Sequence, residues 1–390
     1  MKFEKLGNIV DIQKGKKPSF VVTPDENSVR VLQIDDLRND NNPKYTNEKS
    51  GVYAKDDDVL IAWDGANAGT IGFGKSGYIG STIALLRKKQ PDIYSTAFLG
   101  IFLQSQYQYL RSKTTGATIP HISRKALEDL EVPVISMNGQ LHIAHILSKA
   151  ENLIAQRKES IRLLDEFLKS TFLEIFGDPV INEKKWKAIP FLNVGKFTSG
   201  GTPNKERLDF WNGDFPWVSP KDMKVSRIID SQDHIASLVF QETTLKRIPR
   251  DHLLIVVRGM ILAHSFPVAI NEVDVAINQD MKAILPKSDL KLIYLQHCLN
   301  AMKRQILDLI SSAGHGTKKI DVSAMRKLFI PVPPIELQTQ FARIVEKTEA
   351  LKAQYQQSLR ELENLYGSLS QRAFRGELGT SEEKPTAAVF

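Results

Sequence analysis

The sequence predicts an α+β protein in which two similar, strand-rich α/β modules are separated by two long helices that form an antiparallel coiled coil with pseudo-twofold symmetry. The first observation is an internal repeat. A shift of 198 residues aligns residues 140–176 with residues 338–374, and 13 of these 37 positions are identical, where chance would give roughly two or three. The second observation is that each half begins with short strand-like runs and ends with a long helical pattern. A repeat of half the chain is too long for a solenoid unit, so it indicates two related halves.

In chain order, the pattern divides the sequence into five segments. Residues 1–137 form the first module, 138–177 the first helix, 178–333 the second module, 334–376 the second helix, and 377–390 a tail that we expect to be flexible. Each module has short runs of β-branched and aliphatic residues between Gly, Pro and Asn turns. The modules repeat more weakly than the helices, because their turns recur while their loops differ. This pattern suits two modules that do the same job on different targets.

The two helical segments lack proline and have apolar residues at alternating spacings of three and four, which predicts a coiled-coil seam. Pro333 and Pro334 mark the start of the second helix, and Gly177 ends the first. At about 1.5 Å per residue, each helix would be roughly 57 Å long and could act as a spacer. The alternative is two surface helices that each pack on their own module.

Composition and charge narrow the class of protein. Of the 390 residues, 42% are apolar and 25% are charged, which is typical of globular proteins. The single cysteine, Cys298, excludes a disulfide framework and a multi-cysteine zinc site, and it favours a reducing compartment. The net charge of +7 suggests a polyanionic partner, although a solvated basic surface would give the same excess.

The sequence also predicts a cytoplasmic protein without a membrane partner. Residues 1–4 lack the basic and apolar regions of a signal peptide. The most apolar long stretch, residues 253–270, contains Arg258, His264 and Pro267. It therefore predicts paired strands rather than a membrane span.

Several short motifs occur in a fixed order, and their order and doubling are more specific than any one of them. They are Lys5-Leu6-Gly7, Thr115-Gly116-Ala117-Thr118, Phe176-Gly177-Asp178-Pro179 followed by Trp186, Ser199-Gly200-Gly201-Thr202-Pro203, and Ile330-Pro331-Val332-Pro333-Pro334-Ile335-Glu336-Leu337-Gln338. Over essentially the whole chain, this set resembles the specificity (S) subunit of type I restriction-modification systems. The first half departs from the pattern, since it has Lys14-Gly15-Lys16-Lys17-Pro18 and lacks the proline pair before its helix.

The resemblance implies a non-catalytic, DNA-binding subunit of a restriction system that also carries out DNA methylation. Each module would be a target recognition domain that reads one half of a bipartite target in double-stranded DNA. The helices would set the spacing and dock methyltransferase (M) subunits, of which two are expected, while restriction/translocase (R) subunits would also bind. The chain itself would hold no cofactor or metal, and the partner subunits would use S-adenosylmethionine, ATP and Mg²⁺.

Base readout needs hydrogen-bonding side chains on loops held by a rigid core, with cations nearby for phosphate. Two loops in each half and the ends of two matching strands meet this requirement, although any single residue could simply be part of a solvated loop. The DNA-binding candidates in the first half are Lys14, Lys16, Lys17, Ser19, Asp64, Asn67, Thr114, Thr115, Thr118 and His121. Those in the second half are Thr198, Ser199, Thr202, Asn204, Lys205, Arg207, Arg258, Ser311, Ser312, His315, Thr317, Lys318 and Lys319.

Residues 69–76 match the P-loop pattern G-x-x-x-x-G-K-[ST], so a nucleotide-binding protein is an alternative. A P-loop cradles phosphate only where it opens a helix. Residues 77–83 are glycine, β-branched or aromatic for the most part, and they predict a strand, so that residues 69–76 would be the turn of a hairpin. The nucleotide-binding alternative is therefore weak.

The sequence bears on two other functions. A self-sufficient amino-methyltransferase needs an Asn/Asp-Pro-Pro-aromatic loop, and the sequence contains none. It also needs a G-x-G-x-x-G cofactor turn that opens a βαβ unit, and no turn of the sequence does so. A coiled-coil scaffold without DNA readout stays open as the alternative from a different class. The salt dependence of DNA binding would distinguish this scaffold from a DNA-reading subunit, because the affinity of a protein for DNA falls steeply as salt rises.

Overall fold

The computed structural model describes residues 2–116, 118–312 and 317–378, so most of the predicted tail, residues 379–390, lies outside the described residues. The chain forms two compact units. The first contains the described residues up to Lys158 and those from Gln357 onward, and the second is Glu159–Gln356. Each unit thus combines one module with one half of each long helix. The mixture of helices and strands in both units confirms the α+β class and the two similar modules of the prediction.

Among its described residues, the first unit contains ten strands. They are β1 (Lys2–Lys5), β2 (Val10–Lys14), β3 (Val29–Leu32), β4 (Lys44–Thr46), β5 (Tyr53–Ala54), β6 (Val59–Ala62), β7 (Ile71–Phe73), β8 (Gly77–Ile79), β9 (Ile83–Lys88) and β10 (Glu131–Val134). Its helices are α1 (Leu6–Ile9), α2 (Thr96–Ser105), α3 (Tyr107–Ser112), α4 (Arg124–Glu128) and the first part of α5 (Met137–Phe176). The strands form sheets in the orders β2-β9-β6-β7, β4-β3-β8-β5 and β1-β10.

The second unit repeats this plan. Its strands are β11 (Lys187–Pro190), β12 (Gly195–Ser199), β13 (Phe215–Val218), β14 (Arg227–Ile228), β15 (Asp233–Ile235), β16 (Leu253–Val256), β17 (Val268–Asn271), β18 (Ala276–Ile277), β19 (Met281–Pro286), β20 (Ser311–Ser312), β21 (Lys318–Lys319) and β22 (Phe329–Val332). Its helices are α6 (Val239–Glu242), α7 (Leu292–Ala301), α8 (Lys303–Asp308), α9 (Val322–Met325) and the first part of α10 (Ile335–Phe374). The sheets have the orders β12-β19-β16-β17-β14, β15-β13-β18, β11-β22 and β20-β21.

The two modules share their strand order and also their pairing. The order β2-β9-β6-β7 recurs as β12-β19-β16-β17. The parallel pair β3–β8 recurs as the parallel pair β13–β18. The central strands β6 and β16 are fully buried, as runs of Val, Leu and Ile between two packed faces should be. The predicted strand pairing within residues 253–270 is confirmed, because β16 and β17 are antiparallel neighbours.

One sequence-based expectation is wrong. Residues 69–76 do not form the turn of a hairpin, because β7 pairs with β6 whereas β8 pairs with β3 and β5 in a different sheet. The expected strand after residue 76 is present as β8. The hairpin was expected from neighbouring runs in the sequence, but the connection instead passes from one sheet to the other.

Within the first unit, the end of α10 packs against the start of α5. Tyr366 Oη donates a hydrogen bond to Glu151 Oε1 at 2.6 Å, and Lys158 Nζ lies 2.9 Å from Glu363 Oε1. As residue numbers rise along α5 they fall along α10, so the two segments are antiparallel. Phe374 packs against the rings of Phe98 and Phe102, which joins α10 to the core of the first module.

Within the second unit, the end of α5 packs against the start of α10 in the same antiparallel sense. Lys352 forms an ion pair with Asp165, and the rings of Phe172 and Phe341 meet edge to face at 5.5 Å. The helix α5 then stops at Gly177, which has a φ of 76°. Glycine adopts this left-handed conformation without steric cost, as the sequence predicts for the helix end.

A buried glutamine fixes the start of α5 to the first module. The Gln140 side chain is 0% exposed. Its Nε2 donates to the carbonyl oxygens of Ile93 at 2.8 Å and Ile135 at 3.1 Å, and its Oε1 accepts from the N–H of Ser95 at 2.8 Å. Ser95 is the residue before α2, so this glutamine clamp ties two helix starts together.

The second module has the same clamp. The Gln338 side chain, near the start of α10, is 0% exposed. Its Nε2 donates to the carbonyl oxygens of Asp289 at 3.0 Å and Pro333 at 2.8 Å, and its Oε1 accepts from the N–H of Lys291 at 2.8 Å. The sequence repeat has glutamine at both Gln140 and Gln338 because the same pattern of main-chain contacts occurs in both modules.

The single thiol, Cys298, should be unreactive in the folded protein. It lies on α7 and is 0% exposed. Burial raises its pKa to about 12, because the thiolate would lose its hydration. Since the thiolate is the reactive form, we expect no labelling by an aromatic disulfide reagent at neutral pH, and one equivalent in denaturant. Rapid labelling of the native chain would contradict the buried position.

Candidate nucleic-acid interface

In the first module, three of the predicted residues meet at one point. Lys14 ends β2, Asp64 lies just beyond β6, and His121 precedes α4. Asp64 Oδ2 lies 2.7 Å from Lys14 Nζ, and Asp64 Oδ1 lies 2.6 Å from His121 Nδ1. His121 also forms isolated β-bridges with Asp64 and with Thr115. We call Lys14, Asp64, Thr115 and His121 the first bridge site.

Asp64 is the most enclosed member of this site. Its side chain is 15% exposed, compared with 49% for Lys14 and 46% for His121. Partial burial acts to raise its pKa, but hydrogen bonds from Lys14 and His121 outweigh that effect and hold the pKa of Asp64 below its ordinary value. The carboxylate is therefore charged at neutral pH, and it orients two exposed donors.

The backbone beneath this site is held by two further hydrogen bonds. The N–H of Gly65 donates to Pro120 O at 2.9 Å, and the N–H of Ile122 donates to Trp63 O at 2.9 Å. The loop that begins at Gly15 starts beside this frame. A side chain at Gly15 would place its Cβ 2.3 Å from the carbonyl oxygen of Ile79, so only glycine fits this close approach.

The second module contains the same backbone frame. The N–H of Gly259 donates to Lys318 O at 2.8 Å, the N–H of Ile320 donates to Val257 O at 2.9 Å, and Arg258 forms a β-bridge with Lys319. Each bond has its counterpart in the first module. Arg258 thus occupies the position of Asp64, and Lys319 that of His121.

The side chains around this second frame are mainly cations. Lys282 Nζ donates to Ser199 Oγ at 3.0 Å, and Lys318 Nζ donates to Ser312 Oγ at 2.9 Å. Lys319 Nζ lies 3.0 Å from Asp321 Oδ1. We call Ser199, Arg258, Lys282, Lys318 and Lys319 the second bridge site. It has a marked excess of positive charge, whereas in the first bridge site a carboxylate balances the lysine.

Gly200 makes a close approach equivalent to that of Gly15. An added Cβ at Gly200 would lie 2.0 Å from the carbonyl oxygen of Ile277, a residue of β18, just as Gly15 meets a residue of β8. The candidate loops after β2 and β12 therefore leave the sheet at the same place. This close approach explains why glycine recurs at the equivalent positions Gly15 and Gly200.

Other predicted residues of the first module lie outside the first bridge site. Ser19 hydrogen-bonds to Glu48, and Asn67 Oδ1 accepts from Arg38 at 2.8 Å. Thr114 Oγ1 donates to the carbonyl oxygen of Arg111 at 3.0 Å, which places it at a helix end. Lys16, Lys17 and Thr118 also lie outside the first bridge site, and all three are exposed.

Several predicted residues of the second module have partners within the chain. Arg207 lies between Asp209 and Glu242, with N–O distances of 2.6 and 3.1 Å, so its charge is balanced. Thr202 hydrogen-bonds to Gln279, and Asn204 Oδ1 accepts from the N–H of Glu206 at 3.0 Å.

The remaining predicted residues of the second module differ in exposure and position. Ser311 hydrogen-bonds to Asp321 at 3.4 Å between donor and acceptor oxygens. Lys205 is exposed, and Thr198 and Thr317 are half-buried. His315 lies outside the described residues.

Sequence reasoning missed Lys282, which belongs to the second bridge site. Lys282 lies on β19, opposite Ser199 of β12. The corresponding position in the first module is Ala84, which is paired with Lys14. Only the strand register brings these pairs together, because about 70 to 80 residues separate their members in the sequence.

The P-loop-like segment does not have the structure that binds nucleotide phosphates. Its lysine, Lys75, forms an ion pair of 2.8 Å with Asp40, and β8 follows where a P-loop would open a helix. Lys75 and Arg30 hold the pKa of Asp40 at about 2. The lysine is therefore part of a local charge cluster.

The described residues include no group of three or more His, Cys, Asp or Glu side chains placed to hold a metal ion. Within the same residues, no helix has both the length and the apolar character of a membrane span.

Comparison with known families identifies the modules. The model of the type I restriction modification DNA specificity domain matches residues 1–163 and 183–364. The chain belongs to this family. The match covers both halves of the repeat, and the resemblance noted in the sequence is confirmed.

Similar proteins carry the same family name. The type I restriction enzyme EcoR124I/EcoR124II specificity subunit of Escherichia coli is 31% identical over 231 residues, which is 55% of this chain and 57% of that protein. The type I restriction enzyme MjaVIII specificity subunit of Methanocaldococcus jannaschii is 32% identical over 187 residues, which is 47% of this chain and 43% of that protein. The chain thus spans about half the length of these two relatives of the specificity-domain family.

A solved structure of the same family shares the fold. The S subunit of a type I restriction-modification system from M. genitalium superposes with a TM-score of 0.62 at 17% sequence identity, and the alignment covers 96% of each chain. At this identity the likeness concerns the fold alone. It agrees with an architecture of repeated specificity domains.

Proposed function

We propose that this chain is the DNA-sequence specificity subunit of a type I restriction-modification system, and that each module binds one half of a bipartite duplex target. The two bridge sites carry the proposal. Their backbone frames are the same, which suits a common ligand, while their side chains differ in charge, which suits different base sequences. Membership of the specificity-domain family supports this assignment.

In this proposal the chain is non-catalytic and binds no cofactor itself. Methyltransferase subunits would use S-adenosylmethionine to methylate an adenine that is flipped out of each half-site. Restriction subunits would supply ATP- and Mg²⁺-dependent cleavage. The complex would act on cellular or invading DNA in the cytoplasm. A free thiol such as that of Cys298 is expected in this reducing compartment.

The long helices offer an apolar surface for a methyltransferase partner. On the part of α5 in the second unit, Leu163 and Phe167 are each 49% exposed. Residues four apart lie on the same helix face, so the two side chains form one patch. A contiguous exposed apolar patch is typical of a site that binds another protein.

We expect the double change Leu163→Asp and Phe167→Asp to weaken methyltransferase binding by at least about tenfold, because two apolar anchors would become charged. Co-purification of the two subunits, followed by a titration, would measure the effect. Ile229→Asp is the matched control, since Ile229 is 67% exposed on the second module and off the helices. Equal binding by the double variant and the control would contradict this docking surface.

The proposed function is tested by co-expressing the chain with its methyltransferase partner and mapping methylated adenines across the genome. We expect a bipartite motif with a fixed gap. Replacing residues 1–137 with another recognition module should change one half of the motif and leave the other half intact. A change in both halves would contradict independent reading by two modules.

The scaffold alternative makes a different prediction for DNA binding. A specificity subunit that contacts several phosphates should bind duplex DNA with an affinity that falls steeply as salt rises. Filter binding or fluorescence anisotropy of the complex at several salt concentrations measures this slope. Absent or salt-insensitive binding would favour a scaffold without DNA readout.

A further inference from the structure

The backbone of Arg258 is fixed by hydrogen bonds, whereas its side chain is exposed. It follows β16, all four residues of which are buried. The N–H of Arg258 donates to the carbonyl oxygen of Asp280 at 3.2 Å, and its backbone forms the bridge to Lys319. A long, exposed side chain on a fixed backbone can reach a ligand without moving the fold.

Arg258 differs from Arg207 and Arg227 of the second unit, whose guanidinium groups lie beside carboxylates. Arg207 is paired with two carboxylates, and Arg227 lies 3.5 Å from Glu272. Within residues 2–116, 118–312 and 317–378, the guanidinium of Arg258 forms no ion pair. An uncompensated guanidinium keeps all its donors available for an external acceptor.

The neighbouring cations would bring this guanidinium close to DNA. Lys282 and Lys318 each hydrogen-bond to a serine hydroxyl, which leaves their charge unbalanced. Such lysines attract phosphates, whereas the base edges are read by a side chain that extends between them. The second bridge site therefore offers both kinds of contact.

The fold does not require a cation at this position. The equivalent residue in the first module is Asp64, on the same backbone frame and with its charge compensated by Lys14. A position that tolerates both signs of charge on one frame is free to vary with the target. This comparison separates Arg258 from residues that are needed for folding.

We propose that Arg258 reads a guanine in the half-site bound by the second module. The guanidinium fork matches the O6 and N7 acceptors of guanine in the major groove, and adenine offers only one of these acceptors beside a donor. This inference rests on the proposed function, since it assigns a base to one residue of the same DNA interface.

The test compares methylation motifs of the complete complex with wild-type chain, Arg258→Gln and the control Arg250→Gln. Arg250 is an exposed arginine of the same module outside the second bridge site. We expect Arg258→Gln to lose discrimination at one G·C pair by on the order of ten- to a hundredfold. That pair should lie in the half-site that replacement of residues 1–137 leaves unchanged, and Arg250→Gln should keep the wild-type motif.

A phosphate contact would give a different result. Methylation would then fall evenly at all sites, the motif would stay the same, and the salt slope of binding would decrease by about one. That outcome would overturn the assignment to guanine. If the complex with Arg258→Gln methylates no sites, the variant Arg258→Lys distinguishes the two kinds of contact. Lysine keeps the positive charge but lacks the paired donors of the guanidinium group. Wild-type base preference at every position in the lysine variant would also overturn the assignment.

Failure of the proposed function would be seen separately. In that case the wild-type complex itself would show no bipartite motif, and this inference would fall with it. A wild-type motif without guanine in the second half-site would overturn the role of Arg258 alone.

Discussion

Phe172→Ala is expected to destabilise the protein by about 3–5 kcal/mol, the usual cost of removing a buried aromatic ring. Phe172 is 1% exposed on α5. Its ring lies 5.5 Å from that of Phe341 and 5.8 Å from that of Tyr294, measured between centroids. One side chain therefore joins both long helices to the core of the second module, and its loss leaves a cavity between them.

Equilibrium denaturation would measure this loss, with the reactivity of Cys298 as a local readout of the second unit. The matched control is Phe167→Ala, five residues earlier on the same helix and 49% exposed. The control should change the free energy of unfolding by no more than about 0.5 kcal/mol. Similar losses for the two variants would show that Phe172 does not hold the helices to the module.

Gln338→Ala is expected to cost about 3 kcal/mol of stability, because three main-chain groups would lose their partner in a buried place. A buried donor or acceptor without a hydrogen bond costs roughly 1–3 kcal/mol. The groups are the carbonyl oxygens of Asp289 and Pro333 and the N–H of Lys291. A water molecule entering the new space would recover part of this cost.

Gln340→Ala is the control for the clamp, since Gln340 is exposed two residues further along the same helix. Thermal and chemical unfolding of the two variants should separate them by more than 2 kcal/mol, following the cost of unpaired buried groups. If Gln338→Ala were as stable as Gln340→Ala, the clamp would not contribute to the joint between α10 and the module.

The long helices could be predicted from the sequence because their signal is local. Apolar residues at spacings of three and four define the buried face, and the side chains of Ile143, Leu147, Phe341 and Val345 are buried as that pattern requires. The proline pair and Gly177 mark helix ends through their own backbone preferences. The pseudo-twofold relation between the halves stays a prediction.

The bridge sites could be predicted only in part. Asp64 and Arg258 were additional candidates beside the loop residues, because they lie at the ends of matching strands. The ion pair of Asp64 with His121 joins residues 57 positions apart in the sequence. Lys282 was missed for the same reason, since it reaches Ser199 only through the register of β12 and β19. Contacts that depend on strand register do not appear in a local sequence pattern.

The glutamine clamps affect how far the sequence of a module can change. Gln140 and Gln338 hold their modules through main-chain atoms alone. Every residue, whatever its side chain, offers a carbonyl oxygen, and every residue except proline offers an N–H group. Substitutions at the clamped positions of a module could therefore leave these hydrogen bonds in place, as long as the backbone keeps its path. The clamps are thus the part of each joint that does not depend on module side chains, whereas the ring contacts of Phe172 and Phe374 do depend on them.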